Sequence, residues 1–568
     1  MIKDNNKLIS IKFYKYLIPG MLIAFLLRFT SVIDGVIVGN SLGSVALTST
    51  GLSLSALYIS QLPGYALGVG AAIACSNLIG KSDYDKASKV HSISLIAVII
   101  ICLIFSALSY PLSYPIARFI SNGQDEYIDY MRIYIFIYWL TAPIIGILLY
   151  FSSIFAIDNH PFLSTAMVLV SSAFKIIFMV VCLFLIKIDD NMIKMYLAAL
   201  STAFGAFISF FIIIIYKRSS KRLLKFNFKI QKPFGYLKIS LKSGTASILT
   251  YLLMALQLLV INSVIARALN DDEILIYGVI SNMLFCIELF TAGIIQLIPA
   301  LIGVLYGEED YSSVLNLSKK MLIICETISI LIVAIFIIYP KLLMVMFGYD
   351  TNISLNLLNM GYNNIRIFSL MFIFNQINMF IITYYPTVGK SSVASLTVVL
   401  RTIVLSFMFS IPLAYKYHLY GYSISNIIIE SLTLLITLGY ILFLKIKNKN
   451  YYSIFLIERP KSLCELNLTL DLNCVELLYE KIKEYLKEHN YLKYESVLIE
   501  KSRYIIDLII KDGYQNNLNR YIDYNLKFNK DNIVIRIRDD GKKININDND
   551  IKYQRIINLN NSLIKINY

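Results

Sequence analysis

Twelve stretches of about 20 or more mostly apolar residues confine this chain to a membrane, because a helix of that length spans the hydrocarbon of a bilayer. They fall near 13–39, 52–79, 91–118, 128–156, 162–187 and 194–216, and again near 236–268, 274–305, 316–347, 355–385, 391–416 and 419–445. Lipid offers a backbone no hydrogen bonds, so each run predicts a helix that satisfies its own N–H and C=O groups. Composition agrees: 57% of residues are hydrophobic, 16% are charged and the mean hydropathy is +0.65. A soluble globular protein of this length is excluded.

The formal charge of +15 would suit nucleic acid, but the basic residues sit in short loops, where they orient helices. KSDYDKASK (81–89), KRSSKRLLKFNFKIQK (217–232), SKK (318–320), Lys390 and KIKNK (445–449) alternate with loops poor in Lys and Arg, such as 40–51 and LNDDE at 269–273. This bias predicts an even number of spans in a cell membrane, with both termini cytoplasmic and no nucleic-acid partner. Lys3, Lys7, Lys12 and Lys15 precede a long first span rather than a short cleavable one, so no signal peptide is expected. The cysteines and the four histidines are dispersed, which leaves no disulfide, zinc or haem spacing.

The basic stretch at 217–235 divides the membrane part into a six-helix lobe at 1–216 and another at 236–446. A faint repeat relates them. LIGKSDYDKA (78–87) matches VLYGEEDYSS (304–313), VIDGVIV (32–38) falls over VINSVIA (260–266), and Lys175 falls over Arg401 at nearly the same offset. Duplication of an even number of spans gives parallel repeats with a cavity between them, a transporter layout. No filter-like segment suggests a channel.

Charges inside the spans are few. Asp34, in RFTSVIDGVIVGN (28–40), costs roughly 2.5 to 3.5 kcal/mol to insert, so it either faces a cavity, a partner or an ion, or is satisfied by neighbouring polar groups. Glu288, in ISNMLFCIELFTAG (280–293), is the second candidate for cation or substrate charge. Asn262, Asn375, Gln376, Asn378 and Glu430 are expected to bond between helices. The four amides, with Lys175 and Arg401, are also candidates for lining or gating a cavity.

The chain resembles the multidrug and toxic compound extrusion (MATE) family over roughly residues 10–446. The resemblance rests on IPG (18–20), VIDGVIVGN (32–40), LGVGAAIACSNLIGKSDYDKA (67–87), AIDNHP (156–161), QLIPALIGVLYGEED (296–310), LRTIVLSFMFSIPLAY (400–415) and GYSISNIIIE (421–430). It implies antiport, in which a small, often cationic and aromatic compound leaves as sodium or a proton enters, with Asp34 taking the ion. The family's fifth-helix Asn and acid are replaced by Lys175 and Met179. That lysine either neutralises Asp34, competes with the ion, or snorkels to an interface.

Residues 455–568 read as a small cytoplasmic α+β domain in the order β, α, α, β, β, with strands at 465–470, 522–528 and 532–541 and helices at 473–489 and 494–512. RIRDDG at its end resembles a histidine-kinase-type ATP-binding domain, where Asp539 and Gly541 would read the base. The helix at 494–512 has no magnesium-binding Asn, and no glycine follows Gly541 to wrap phosphates. The tail therefore reads as a degenerate relative that contacts a protein partner or regulates, with ATP not expected as a cofactor and a strand-end turn as the other reading of DDG.

The fold expected is an all-α polytopic membrane protein of twelve transmembrane helices in two six-helix halves, followed by that domain. It is expected to act as a monomer on small molecules within membrane lipid, and not as an enzyme. Two alternatives stand beside an exporter: a flippase of lipid-linked substrates, kept open by Lys175 and Arg401, and a membrane anchor whose tail signals.

Overall fold

The computed structural model describes residues 7–121, 125–186, 188–219, 222–227, 232–346, 355–451, 453–458, 463–469, 474–488, 492–514, 521–528, 532–544, 546, 551–556 and 559–567. Its contacts divide into two compact units. One joins Leu17–Glu308 to Ser318–Lys447, and the other joins Met1–Tyr16, Glu309–Leu317 and Asn448–Tyr568.

In the membrane part, α1 (Lys7–Leu42), α2 (Ser44–Gly80) and α3 (Tyr84–Ile120) cover the first three apolar runs. The fourth run breaks into α4 (Asp125–Leu140) and α5 (Ala142–Ile157), bent by 59°. Pro143 sits in the first turn of α5, and the Thr141 hydroxyl turns back onto the Ile137 carbonyl at 2.8 Å. Next come α6 (Pro161–Val180), which runs into a π-helical turn at Val181–Leu185, then α7 (Asn191–Ser209) and α8 (Phe211–Arg218).

The second half holds α9 (Pro233–Ala268), α10 (Asp271–Gly307), α11 (Tyr311–Ile338), α12 (Pro340–Met346), α13 (Leu355–Ser369) and α14 (Met371–Thr387). It ends with α15 (Ser391–Val399), π-helical turns at Leu400–Val404 and Ser406–Ser410, and α16 (Ile411–Lys447). Among the described residues eight helices are long and apolar enough to cross a membrane, or up to nine when the bent pair counts as one. The last two predicted runs count as one of these, because helical hydrogen bonding continues across His418, where φ of 54° and ψ of −135° redirect the chain.

Local chemistry sets several of these boundaries. Asp83 and Asp190 accept from Lys86 N and Met192 N to cap α3 and α7, and Asn270 with Glu273 forms a capping box on α10. The repeat is visible in the backbone too. Ser82 and Glu309, 227 positions apart, share a left-handed φ of 61° and 60°.

The halves meet where α2 ends, α9 begins and α10 ends, and glycine lets their backbones touch. A Cβ at Gly70 would stand 2.5 Å from the Ser240 carbonyl oxygen, and one at Gly80 would stand 2.1 Å from that of Val304. Beside this seam Tyr65 stacks on Tyr251 at 4.9 Å, and Asn77 Nδ2 donates to the Thr387 carbonyl at 3.0 Å.

The basic linker between the halves is strapped to the first one. Asp158, buried at the turn between α5 and α6, accepts from Leu223 N at 2.6 Å, Leu224 N at 3.0 Å and the Tyr216 hydroxyl at 2.5 Å. Further along, Lys225 N and Asn227 N donate to the Ser88 and Ser92 hydroxyls of α3.

In the other unit, β1 (Leu463–Thr469), α17 (Cys474–Glu488), α18 (Glu495–Leu508), β2 (Tyr521–Phe528) and β3 (Asn532–Asp539) follow the expected order. Two further strands, β4 (Ile551–Ile556) and β5 (Leu559–Asn567), complete an antiparallel sheet in the order β1-β2-β3-β5-β4. They were not anticipated, since Asn560, Asn561 and Ser562 are buried polar residues that blur the apolar alternation of a strand. One sheet face, through Ile522, Tyr524, Leu526, Ile535 and Ile537, packs with Leu478 and Ile482 of α17 and Leu498 and Ile505 of α18. The opposite face carries Asp523, Asn525 and Lys527 of β2 and Arg536 and Arg538 of β3.

Candidate functional site

In the first half Lys175 of α6 reaches Asp34 of α1. Its ammonium donates to Asp34 Oδ2, with side-chain exposures of 11% and 21%. Room for the lysine comes from Gly205 of α7, where a Cβ would lie 3.0 Å from that of Lys175. Ile37, Val38, Ile133, Met179, Leu183 and Met195 form the apolar core of this region, and they include Met179, one turn beyond Lys175. Asp34 Oδ1 is buried and bonds to no group among the described residues. Nearby, Gln61 Nε2 donates to the Tyr138 hydroxyl at 3.5 Å. The lysine thus turns inward onto the acid rather than snorkelling, and the pair is neutral as it stands.

The second half holds a matching pair. Arg401 Nε donates to Glu430 Oε1 at 2.6 Å, Asn375 Nδ2 to the same oxygen at 3.1 Å, and Asn378 Nδ2 to Oε2 at 2.8 Å. Gln376 joins through the Asn375 side chain at 3.3 Å, and Arg401 Nη1 also meets Met379 Sδ. Four sequence candidates therefore converge on Glu430, an acid read from sequence only as an interhelical bond. Its signal was available, because an arginine in mid-span needs a buried acid within reach.

The repeat places Lys175 and Arg401 in corresponding helices. The π-helical turns at Val181–Leu185 and Ser406–Ser410 correspond as well, and a further one surrounds Arg401 at Leu400–Val404. A π turn inserts one residue and leaves a carbonyl loosely held, and such turns inside α-helices are frequent at functional sites. Asn262 and Glu288 fall on α9 and α10, at positions whose side chains lie outside the described residues.

In the tail, Asp539 Oδ1 accepts from Gly541 N and Asn560 Nδ2, both at 2.8 Å, and Lys542 N closes the turn on the Gly513 carbonyl. Asp539 Oδ2 is buried without a hydrogen-bond partner among the described residues, and burial raises the carboxyl pKa to about 6. The residue is 1% exposed, its first oxygen is committed to the turn, and the chain beyond Gly541 has no glycine to wrap phosphates. The DDG segment forms a strand-end turn through these bonds.

Residues 19–181 match the family model described as MatE. The multidrug export protein MepA of Staphylococcus aureus (strain MRSA252) is 27% identical over 278 residues, 48% of this chain and 60% of its own length. MepA of the bovine strain RF122 / ET3-1 is 26% identical over the same span. The chain thus spans 60% of the length of the curated relatives it matches. Among solved structures, a MATE in the straight conformation superposes with a TM-score of 0.68 at 16% identity, covering 78% of this chain and 98% of that one. A MOP superfamily transporter from Pyrococcus furiosus, described as having a binding pocket of reverse polarity, gives 0.69 at 18%, with 78% and 100% covered. The bent form of the Vibrio cholerae MATE transporter VcmN gives 0.66 at 14%, with 78% and 99% covered. These likenesses establish the fold.

Proposed function

From a MatE domain set in the fold of the MATE transporters, we propose that this chain is a cation-coupled antiporter that exports small amphiphilic, cationic compounds as sodium or a proton enters. The observation that carries the reading is the Lys175–Asp34 pair, with Asp34 Oδ1 buried and unmatched. A neutral pair in an apolar lobe attracts no cation until its lysine lets go. Sodium or a proton arriving at Asp34 displaces the ammonium and adds one positive charge to a poorly solvated region, a change that favours whichever state of the lobe hydrates the freed lysine. Loading and facing are coupled in that way. The stacked pair Tyr65 and Tyr251 at the seam supplies aromatic faces of the kind that hold organic cations.

In this reading both termini and the tail are cytoplasmic, and ATP has no part. The flippase alternative drew on a basic cavity. Lys175 and Arg401, the two residues it drew on, are each paired with an acid.

Dye efflux from proteoliposomes tests the proposal. Transport should require a sodium or proton gradient and should fall to background in Asp34→Asn. Efflux that ignores both the gradient and the substitution overturns it.

A further inference from the structure

The charged face of the tail's sheet ought to be wet, and it is not. Arg538, Asp523 and Arg536 are 3%, 4% and 8% exposed. Part of what covers that face comes from the connection between α10 and α11. Asp310 receives Arg538 Nη1 at 2.6 Å, with both side chains almost fully buried, and Asn525 Nδ2 at 3.5 Å, while Glu309 pairs with Lys527. Burial alone would raise the Asp310 pKa, but the Arg538 guanidinium holds it below the usual carboxylate range. The matching loop of the first half makes a control within the molecule. Asp83 occupies the equivalent place, is exposed, and caps its own helix, whereas Asp310 both caps α11 through Ser313 N and takes the tail's arginine.

The same compact unit contains the start of α1. There Leu8, Lys12, Phe13 and Tyr16 are 5% exposed or less, and Lys12 lies within electrostatic reach of Asp540, Asp539 and Arg555. One small domain therefore gathers a segment that leads into the first helix of the amino-terminal lobe and a segment from the middle of the carboxyl-terminal lobe.

We propose that the tail is an intramolecular clamp that reads the Glu309–Leu317 connection through Arg538 and Lys527, and that its grip on both segments restrains the lobes from parting. The consequence for transport rests on the antiporter reading; the clamp itself does not. A clamp of this kind makes export slow while engaged and fast when a cytoplasmic partner or condition frees Asp310.

The test uses the full chain in sealed vesicles with the tail outward, and follows maleimide labelling of Ser240→Cys, a site buried in the glycine seam, above the labelling of the same protein without it. Asp310→Asn, which keeps the α11 cap, and Arg538→Gln should each speed labelling by about 5-fold or more, the low end of ordinary coupling between sites. Each should also speed proteolytic release of the tail from the membrane part. The exchange Asp310→Arg with Arg538→Asp should return both rates toward those of the parent. Unchanged labelling in Asp310→Asn, or faster labelling that the exchange does not reverse, overturns the clamp. Because labelling needs neither substrate nor gradient, failure of the clamp and failure of antiport are read separately.

Discussion

Glu430 holds Arg401, Asn375 and Asn378 at once, so removing its charge strands a guanidinium inside the carboxyl-terminal lobe. Breaking one side of a buried pair costs about 3–5 kcal/mol, whereas removing both sides costs much less. Glu430→Gln should accordingly lower the thermal unfolding midpoint in detergent sharply, and Arg401→Met added to it should restore most of the loss. Equal midpoints for the single and double variants would mean that the stranded guanidinium is not what costs stability. At this scale the sequence was uneven. A charge in an apolar run identifies itself, which is why Asp34, Lys175 and Arg401 stood out, but it does not name its partner. Lys175 and Asp34 are 141 positions apart, on α6 and α1, so no local pattern pairs them.

The strap at Asp158 shows what an element does that no residue pattern announces. AIDNHP was legible as a motif, but the amides that Asp158 binds belong to the backbone of Leu223 and Leu224, and a backbone donor leaves no mark on a sequence. Burial raises the Asp158 pKa to about 7 from 3.8, even though the Tyr216 hydroxyl and the two amides favour its ionised form. The sign follows. Between about pH 4 and pH 7 the folded chain keeps a proton that the unfolded chain has released, so stability contributed here is full below the lower value and is lost as pH rises through the upper one. Asp158→Asn should flatten that slope in melts taken across the window, and a variant with the parent's slope would assign it elsewhere. The long helices were readable from hydropathy alone. The π turns were not, since one extra residue in a turn barely alters apolar periodicity.

For the whole molecule, the basic linker, the repeat and the change of composition near residue 450 led to the expectation of two halves and a separate tail, whereas the contacts group the tail with Met1–Tyr16 and Glu309–Leu317. The loop that joins the tail was not readable, because an ion pair between distant segments has no local signature. The division into two compact units makes a prediction. A chain ending at Lys447 should still give a cooperative melt in detergent and should export its dye faster than the full chain, with the same gradient requirement. Slower export by the shortened chain would make the tail a support and not a restraint.

Asp310 and Arg538 are 228 positions apart, a separation that matters while the protein is being made. The ribosome delivers the acid first and the arginine only after the rest of the carboxyl-terminal half has been threaded into lipid. The sheet cannot shut its ionic face on a loop that has not been built and placed, so the final strands close after the membrane part is in place.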